Sequence, residues 1–88
     1  MELRTLRYLV AVADSGSVSA AAAVVHVAQP SLSRQLRGLE AELGVRLFTR
    51  DGGRLTLNAA GAQFLPVARD LLARADAAAS VAASLAAG

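Results

Sequence analysis

Residues 29–43, QPSLSRQLRGLEAEL, constrain the fold of this chain more than any other stretch. At about 3.6 residues per turn, Leu32, Leu36, Leu39 and Leu43 share one stripe of a helix, the pattern of a core-facing side. The opposite side carries Pro30, Ser31, Arg34, Arg37, Gly38 and Ala41, with Glu40 and Glu42 on the flanks. Pro30 suits a first turn, where its missing N–H costs nothing, and Gly44 suits the position just past the end. A helix lined with leucine inside, and small and basic outside, is shaped to enter a groove of duplex DNA.

The neighbouring segments supply what such a helix needs around it. Leu3, Leu6, Val10 and Ala13 repeat at helical spacing and predict a first helix over 3–14. Ser15 and Gly16 break it. Ser17 then offers an N-cap oxygen for a second helix, with Val18, Ala21, Ala22 and Val25 turned inward. His26 and Val27 make a short turn into the third helix. Val45, Leu47 and Phe48 form a β-prone run, Asp51-Gly52-Gly53 is a turn signal, and Leu55-Thr56-Leu57 alternates again. Two short antiparallel strands are expected, with Arg50 and Arg54 at the tip of the hairpin. Asn58 can cap a long last helix from Ala59 to Ala87, in which Phe64, Ala68, Leu71, Ala75, Ala78, Ala82 and Leu85 recur at spacings of four and three. That heptad-like seam of mostly alanine favours close helix–helix contact and predicts a dimer interface. Pro66 lies past the harmless first turn and is expected to bend this helix slightly.

Composition narrows the classes of function. At 88 residues the chain suits one domain, and a domain this small buries only ~60% of its unfolded surface, so a partner subunit would stabilise it. It has no cysteine, which excludes disulfides and thiolate metal sites, and its single histidine, His26, has no second ligand beside it. No metal or other cofactor is expected. The net charge is only +2, but every cation is arginine, and Arg34, Arg37, Arg46, Arg50 and Arg54 gather in the middle of the chain. Arg69 and Arg74 are matched by Asp70 and Asp76, and Arg46 can pair with Glu42 at i, i+4 or with another nearby acid. The apolar run after Arg7 is too short for a signal core, and no apolar stretch approaches the ~18 residues of a membrane span. A cytoplasmic, nucleoid-associated protein with no membrane partner is expected. No nucleophile–base pair, phosphate-cradling glycine loop or carboxylate pair emerges, so no catalytic residue is assigned and no enzyme is expected.

The fold expected is mainly α: a winged helix-turn-helix of three helices and a two-stranded β wing over 1–58, then a linker and dimerisation helix over 59–88. In such motifs the second helix of the pair enters the major groove, N-terminal residues foremost. Those residues are Gln29, Pro30, Ser31, Ser33 and Arg34. Glutamine can bind adenine bidentately and arginine can bind guanine so; serine hydroxyls and free helix-start N–H groups suit phosphates. Gln29, Pro30, Ser31 and Arg34 are therefore assigned to base reading. Ser33, Arg37, Arg50 and Arg54 are assigned to the backbone or wing contact.

Along nearly its whole length the chain resembles the N-terminal DNA-binding domain of LysR-type transcriptional regulators. The segments that carry the resemblance are LRTLRYLVAVADSGSVSAAA, HVAQPSLSRQLRGLEAELGVRLFTR and LTLNAAG. It implies a bacterial regulator that dimerises through the long helix, often assembles as a tetramer, and binds interrupted inverted repeats of T-N11-A type. It also implies a C-terminal effector-binding domain for a small molecule, which this chain lacks, so an excised DNA-binding domain is expected rather than a naturally short protein. Ala28 stands where the family usually has a capping serine, Asn58 where it has threonine, and Val18 where phenylalanine is common. The wing tip, Asp51-Gly52-Gly53-Arg54, places its arginine differently from many members.

Plainer readings apply to several residues. Tyr8 and Phe64 lie on apolar stripes and are read as core or interface, and Arg4 and Arg7 as solvated surface. A rival in a different class is a helical interaction module whose basic face meets an acidic protein partner.

Overall fold

The computed structural model describes residues 1–52 and 54–88. Six elements follow in order: α1 (Leu3–Ser15), α2 (Val18–Val25), α3 (Gln29–Leu43), β1 (Phe48–Asp51), β2 (Arg54–Leu57) and α4 (Ala59–Ala87). The strands pair antiparallel, with Phe48 opposite Leu57 and Arg50 opposite Leu55. This is a winged helix-turn-helix followed by one long helix. β1 starts later than expected, at Phe48, and Val45 stays exposed ahead of it. Gly53, the last residue of the expected turn, lies outside the described residues.

Local chemistry explains where the helices begin and end. The Ser17 hydroxyl accepts from the Ala20 N–H at 3.0 Å, capping α2 as expected. α3 has no side-chain cap, because Ala28 offers none. It ends at Gly44, whose φ of 72° is costly for any residue with a Cβ. α2 ends at His26 with φ 59°, so the turn of the helix-turn-helix passes through a left-handed non-glycine residue. Asn58 accepts from the Gly61 N–H at 2.8 Å and also donates to the Arg46 carbonyl at 3.0 Å, joining the start of α4 to the wing root. Pro66 lies within α4, which continues through it to Ala87.

The core sits where α1, α2, α3, the wing and the first half of α4 converge. Leu6, Leu9, Leu32, Leu36 and Leu47 are fully buried, each worth roughly 1.5–3 kcal/mol of transfer free energy. Tyr8 is buried among them. Leu32, Leu36 and Leu39 face inward as the stripe required, and Leu43 is half-buried at its edge.

The seam of α4 needs correction. Ala68 was expected at a dimer interface, yet its own chain covers it completely, and the buried Leu72, outside the seam, packs with it. Phe64 and Leu71 are half-buried against the same core, and Ala75 is half-buried too. α1 and α4 lie side by side. Arg69 bridges Asp14 at 2.6 Å and Arg7 approaches Asp76 at 3.5 Å. Stepping backward along α1 thus means stepping forward along α4, so the two run antiparallel. Arg69 therefore finds Asp14 rather than a neighbour on its own helix, while Arg74 does pair with Asp70 at 3.0 Å. Only the last part of the seam, Ala78, Ala82 and Leu85, is exposed.

Candidate nucleic-acid interface

The first turns of α3 project from the body. Gln29, Pro30 and Arg34 are exposed, and Ser31 and Ser33 are half-buried beside them. Leu32 and Leu36, fully buried on the opposite side, hold this end outward. Because Ala28 supplies no cap and Pro30 has no N–H, the first-turn donors of α3 are open to an outside acceptor. Gln29, Arg54 and Ser17 to Ser19 line one shallow concavity of about 120 Å³. The starts of α2 and α3 and the first residue of β2 thus meet at a single edge of the molecule.

Arg37 lies one turn beyond Arg34 and is also exposed. It borders a second, larger concavity of about 430 Å³ with Glu40, Arg46 and Arg50. Arg46 is exposed and has no ion-pair partner among the described residues; Glu42, its expected partner, instead meets the Met1 amino group at 2.6 Å.

The two wing arginines differ. Arg54 is exposed, as expected of a free contact. Arg50 is not free: its guanidinium donates to Glu40 Oε1 at 3.1 Å and its side chain is only 25% exposed. Glu40 was expected on a flank of α3, but it is buried and is central to the wing root. Its Oε2 accepts from the Leu47 N–H at 2.8 Å and the Phe48 N–H at 3.2 Å. A buried carboxylate needs such donors, since desolvation of an unpaired charge is costly. The signal in the sequence was faint: an acid four residues after Leu36, bordering the leucine stripe, with an arginine ten residues on.

Farther away, the Arg69 guanidinium hydrogen-bonded to Asp14 holds that carboxyl below its ordinary value and is itself raised by the same contact. Both side chains are about half exposed, so salt screens the pair.

The family model for bacterial regulatory helix-turn-helix proteins of the lysR family matches residues 3–62, from the start of α1 to the first turn of α4. The chain belongs to the lysR family. Over 72 residues this LysR-family chain is 50% identical to the HTH-type transcriptional regulator ClcR of Pseudomonas putida, covering 82% of itself and 24% of ClcR. Over 75 residues it is 47% identical to BsdA of Bacillus subtilis (strain 168), covering 84% of itself and 26% of BsdA. It therefore spans about a quarter of the length of these relatives. Its fold is similar to that of BenM_DBD in a complex with catB site 1 DNA, with a TM-score of 0.92, 41% identity, and coverage of 100% of this chain and 99% of that one. It is likewise similar to the CbnR_DBD–DNA complex, with a TM-score of 0.90, 43% identity, and coverage of 98% and 99%.

Proposed function

We propose that this LysR-family chain binds duplex DNA sequence-specifically as a homodimer and so serves transcriptional regulation. The observation that carries this reading is the outward-held start of α3, with exposed Gln29, Pro30 and Arg34 beside Arg54 at one edge. Gln29, Pro30, Ser31 and Arg34 read bases in the major groove, and the uncapped N–H groups of α3 donate to a phosphate oxygen. Ser33 and Arg37 meet the backbone. Arg54 is the wing contact, on the backbone or in the adjacent minor groove, while Arg50 serves the wing root. The DNA complexes of BenM_DBD and CbnR_DBD, two domains of the same fold, support the choice of partner.

The exposed end of α4, with Ala78, Ala82 and Leu85, supplies the dimer contact, with Phe64, Leu71 and Ala75 at its inner margin. Two copies would present two reading ends to an interrupted inverted repeat of T-N11-A type. In a longer chain, a C-terminal domain would add a small-molecule effector site and tetramer assembly. Among the described residues no helix is long and apolar enough to cross a membrane, consistent with work at the nucleoid in the cytoplasm.

Titration against a specific site and against random duplex, at several salt concentrations, tests this. Arg34→Ala and Gln29→Ala should weaken specific binding far more than nonspecific binding. Arg54→Ala should weaken both and reduce the slope of log K against log salt by about 1. Equal losses on both DNAs for Arg34→Ala would remove base reading. Absence of any salt-sensitive binding would favour an acidic protein as the partner.

A further inference from the structure

We propose that Glu40 is the positioning residue that holds the wing in register with the reading end of α3, so that both engage one duplex together. The proposal rests on the DNA-binding reading above and concerns how its two contact patches are joined. Of the two strands, β2 is the one that packs on α1 and α4, and its Leu55 is buried in the core. Among the described residues, the polar tie between α3 and the wing is the Glu40 carboxylate. It grips the wing at separate points: the amides of Phe48 and of Leu47 just before β1 through Oε2, and the Arg50 guanidinium through Oε1. Phe48 and Arg50 lie about 7 Å apart along an extended strand, so a grip on both resists pivoting as a grip on one would not.

The tie reaches the contact surface through the strand register. Arg50 pairs with Leu55 and Asp51 with Arg54, so a shift of β1 moves Arg54 with it. Arg54 in turn shares its concavity with Gln29. Rigidly joined patches bind as one unit, because the first contact presents the second at high effective concentration. A loosened wing still carries its arginine but loses that advantage. Glu40 itself is buried and needs no contact with DNA. It also draws Arg50 inward, leaving Arg54 as the wing's outward cation.

A double-mutant cycle on the full chain tests this, with fluorescence anisotropy on a specific duplex at about 0.15 M salt. Arg54→Ala should lower affinity by about five- to tenfold when Glu40 is present, the effect of one lost phosphate contact. In a Glu40→Gln background, where the carboxamide can keep an oxygen on the amides but not the charge for Arg50, Arg54→Ala should lower affinity by less than about twofold. Circular dichroism checks that each variant is folded at the assay temperature. Should Glu40→Gln prevent folding, Arg50→Met opens the outer grip alone, and the Arg54→Ala loss should shrink in that background. A loss merely of stability would leave the Arg54→Ala ratio unchanged between backgrounds. An equal ratio in both backgrounds overturns the positioning role while leaving the DNA-binding reading intact. An Arg54→Ala variant that binds like the parent, while Arg34→Ala fails, also overturns it by placing the wing off the DNA. No DNA binding by the parent chain overturns both.

Discussion

Two glycine-to-alanine substitutions should move stability in opposite directions, and the reason lies at the join of wing and long helix. In an open helix position, alanine is better than glycine by about 1 kcal/mol, because glycine surrenders more backbone entropy on folding. Gly38 is such a position, with nothing within 4 Å of where a Cβ would stand. Gly61, in the first turn of α4, is not. A Cβ there would fall inside contact distance of the Leu47 carbonyl oxygen and 2.7 Å from Leu57 Cδ2. That carbonyl accepts from the Asn58 N–H at 3.0 Å, and the amide of the same residue is held by Glu40, so neither side can yield freely. Overpacking of this kind costs roughly 1–3 kcal/mol, and loosening the Asn58 bond adds about 1 kcal/mol. After the helix gain is subtracted, Gly61→Ala should destabilise by about 1–3 kcal/mol. For a domain of this size that lowers Tm by roughly 4–24 °C, whereas Gly38→Ala should raise it by roughly 4–8 °C. Thermal melts followed by circular dichroism at one fixed protein concentration decide it, since any self-association would make the melt depend on concentration. A Gly61→Ala melt at or above that of the parent would refute the close approach of α4 to the wing root.

Other consequences are simpler to measure. Ala28→Ser should give α3 the cap it lacks, its hydroxyl accepting from the Ser31 N–H because Pro30 has none, and should add about 1 kcal/mol in thermal melts; an unchanged melt would mean the hydroxyl does not reach. Asp14, whose pKa is lowered in the folded chain, contributes stability that is present above its unfolded value, near pH 4, and is lost as pH falls through the folded value. Asp14→Asn should therefore flatten the acid limb of the stability curve, most clearly at low salt, and an unaltered limb would show the pair to be inert. Leu85→Glu at the exposed end of α4 should give a folded monomer in sedimentation velocity, and an intact dimer would place the interface elsewhere.

Much of this was legible in the sequence because it is local. The bounds of α3 follow from Pro30, the leucine stripe and Gly44, all within one segment. Ser17 and Asn58 each cap an N–H only three residues away, and both caps form. The exposed face of α3 could be located for the same reason: which side is outer is decided by its own leucines. The misjudged features depend on distant segments. Glu40 and Arg50 both look like surface charges until β1 is laid against the end of α3. Ala68 follows a coiled-coil spacing that would suit a second copy equally well, but the core of its own chain already covers it. Gly61 resembles an ordinary residue of a helix start, and only the approach of the Leu47 carbonyl makes it necessary.

Selection of bound sites from a random DNA pool, run with the parent chain and with Arg34→Ala, is the most direct test of the claim that the start of α3 reads sequence. The parent should enrich an interrupted inverted repeat with two equal half-sites. Arg34→Ala should relax the preference at one position in each half-site while leaving their spacing unchanged. A pool that stays random with the parent, or a motif that survives Arg34→Ala unaltered, would contradict it.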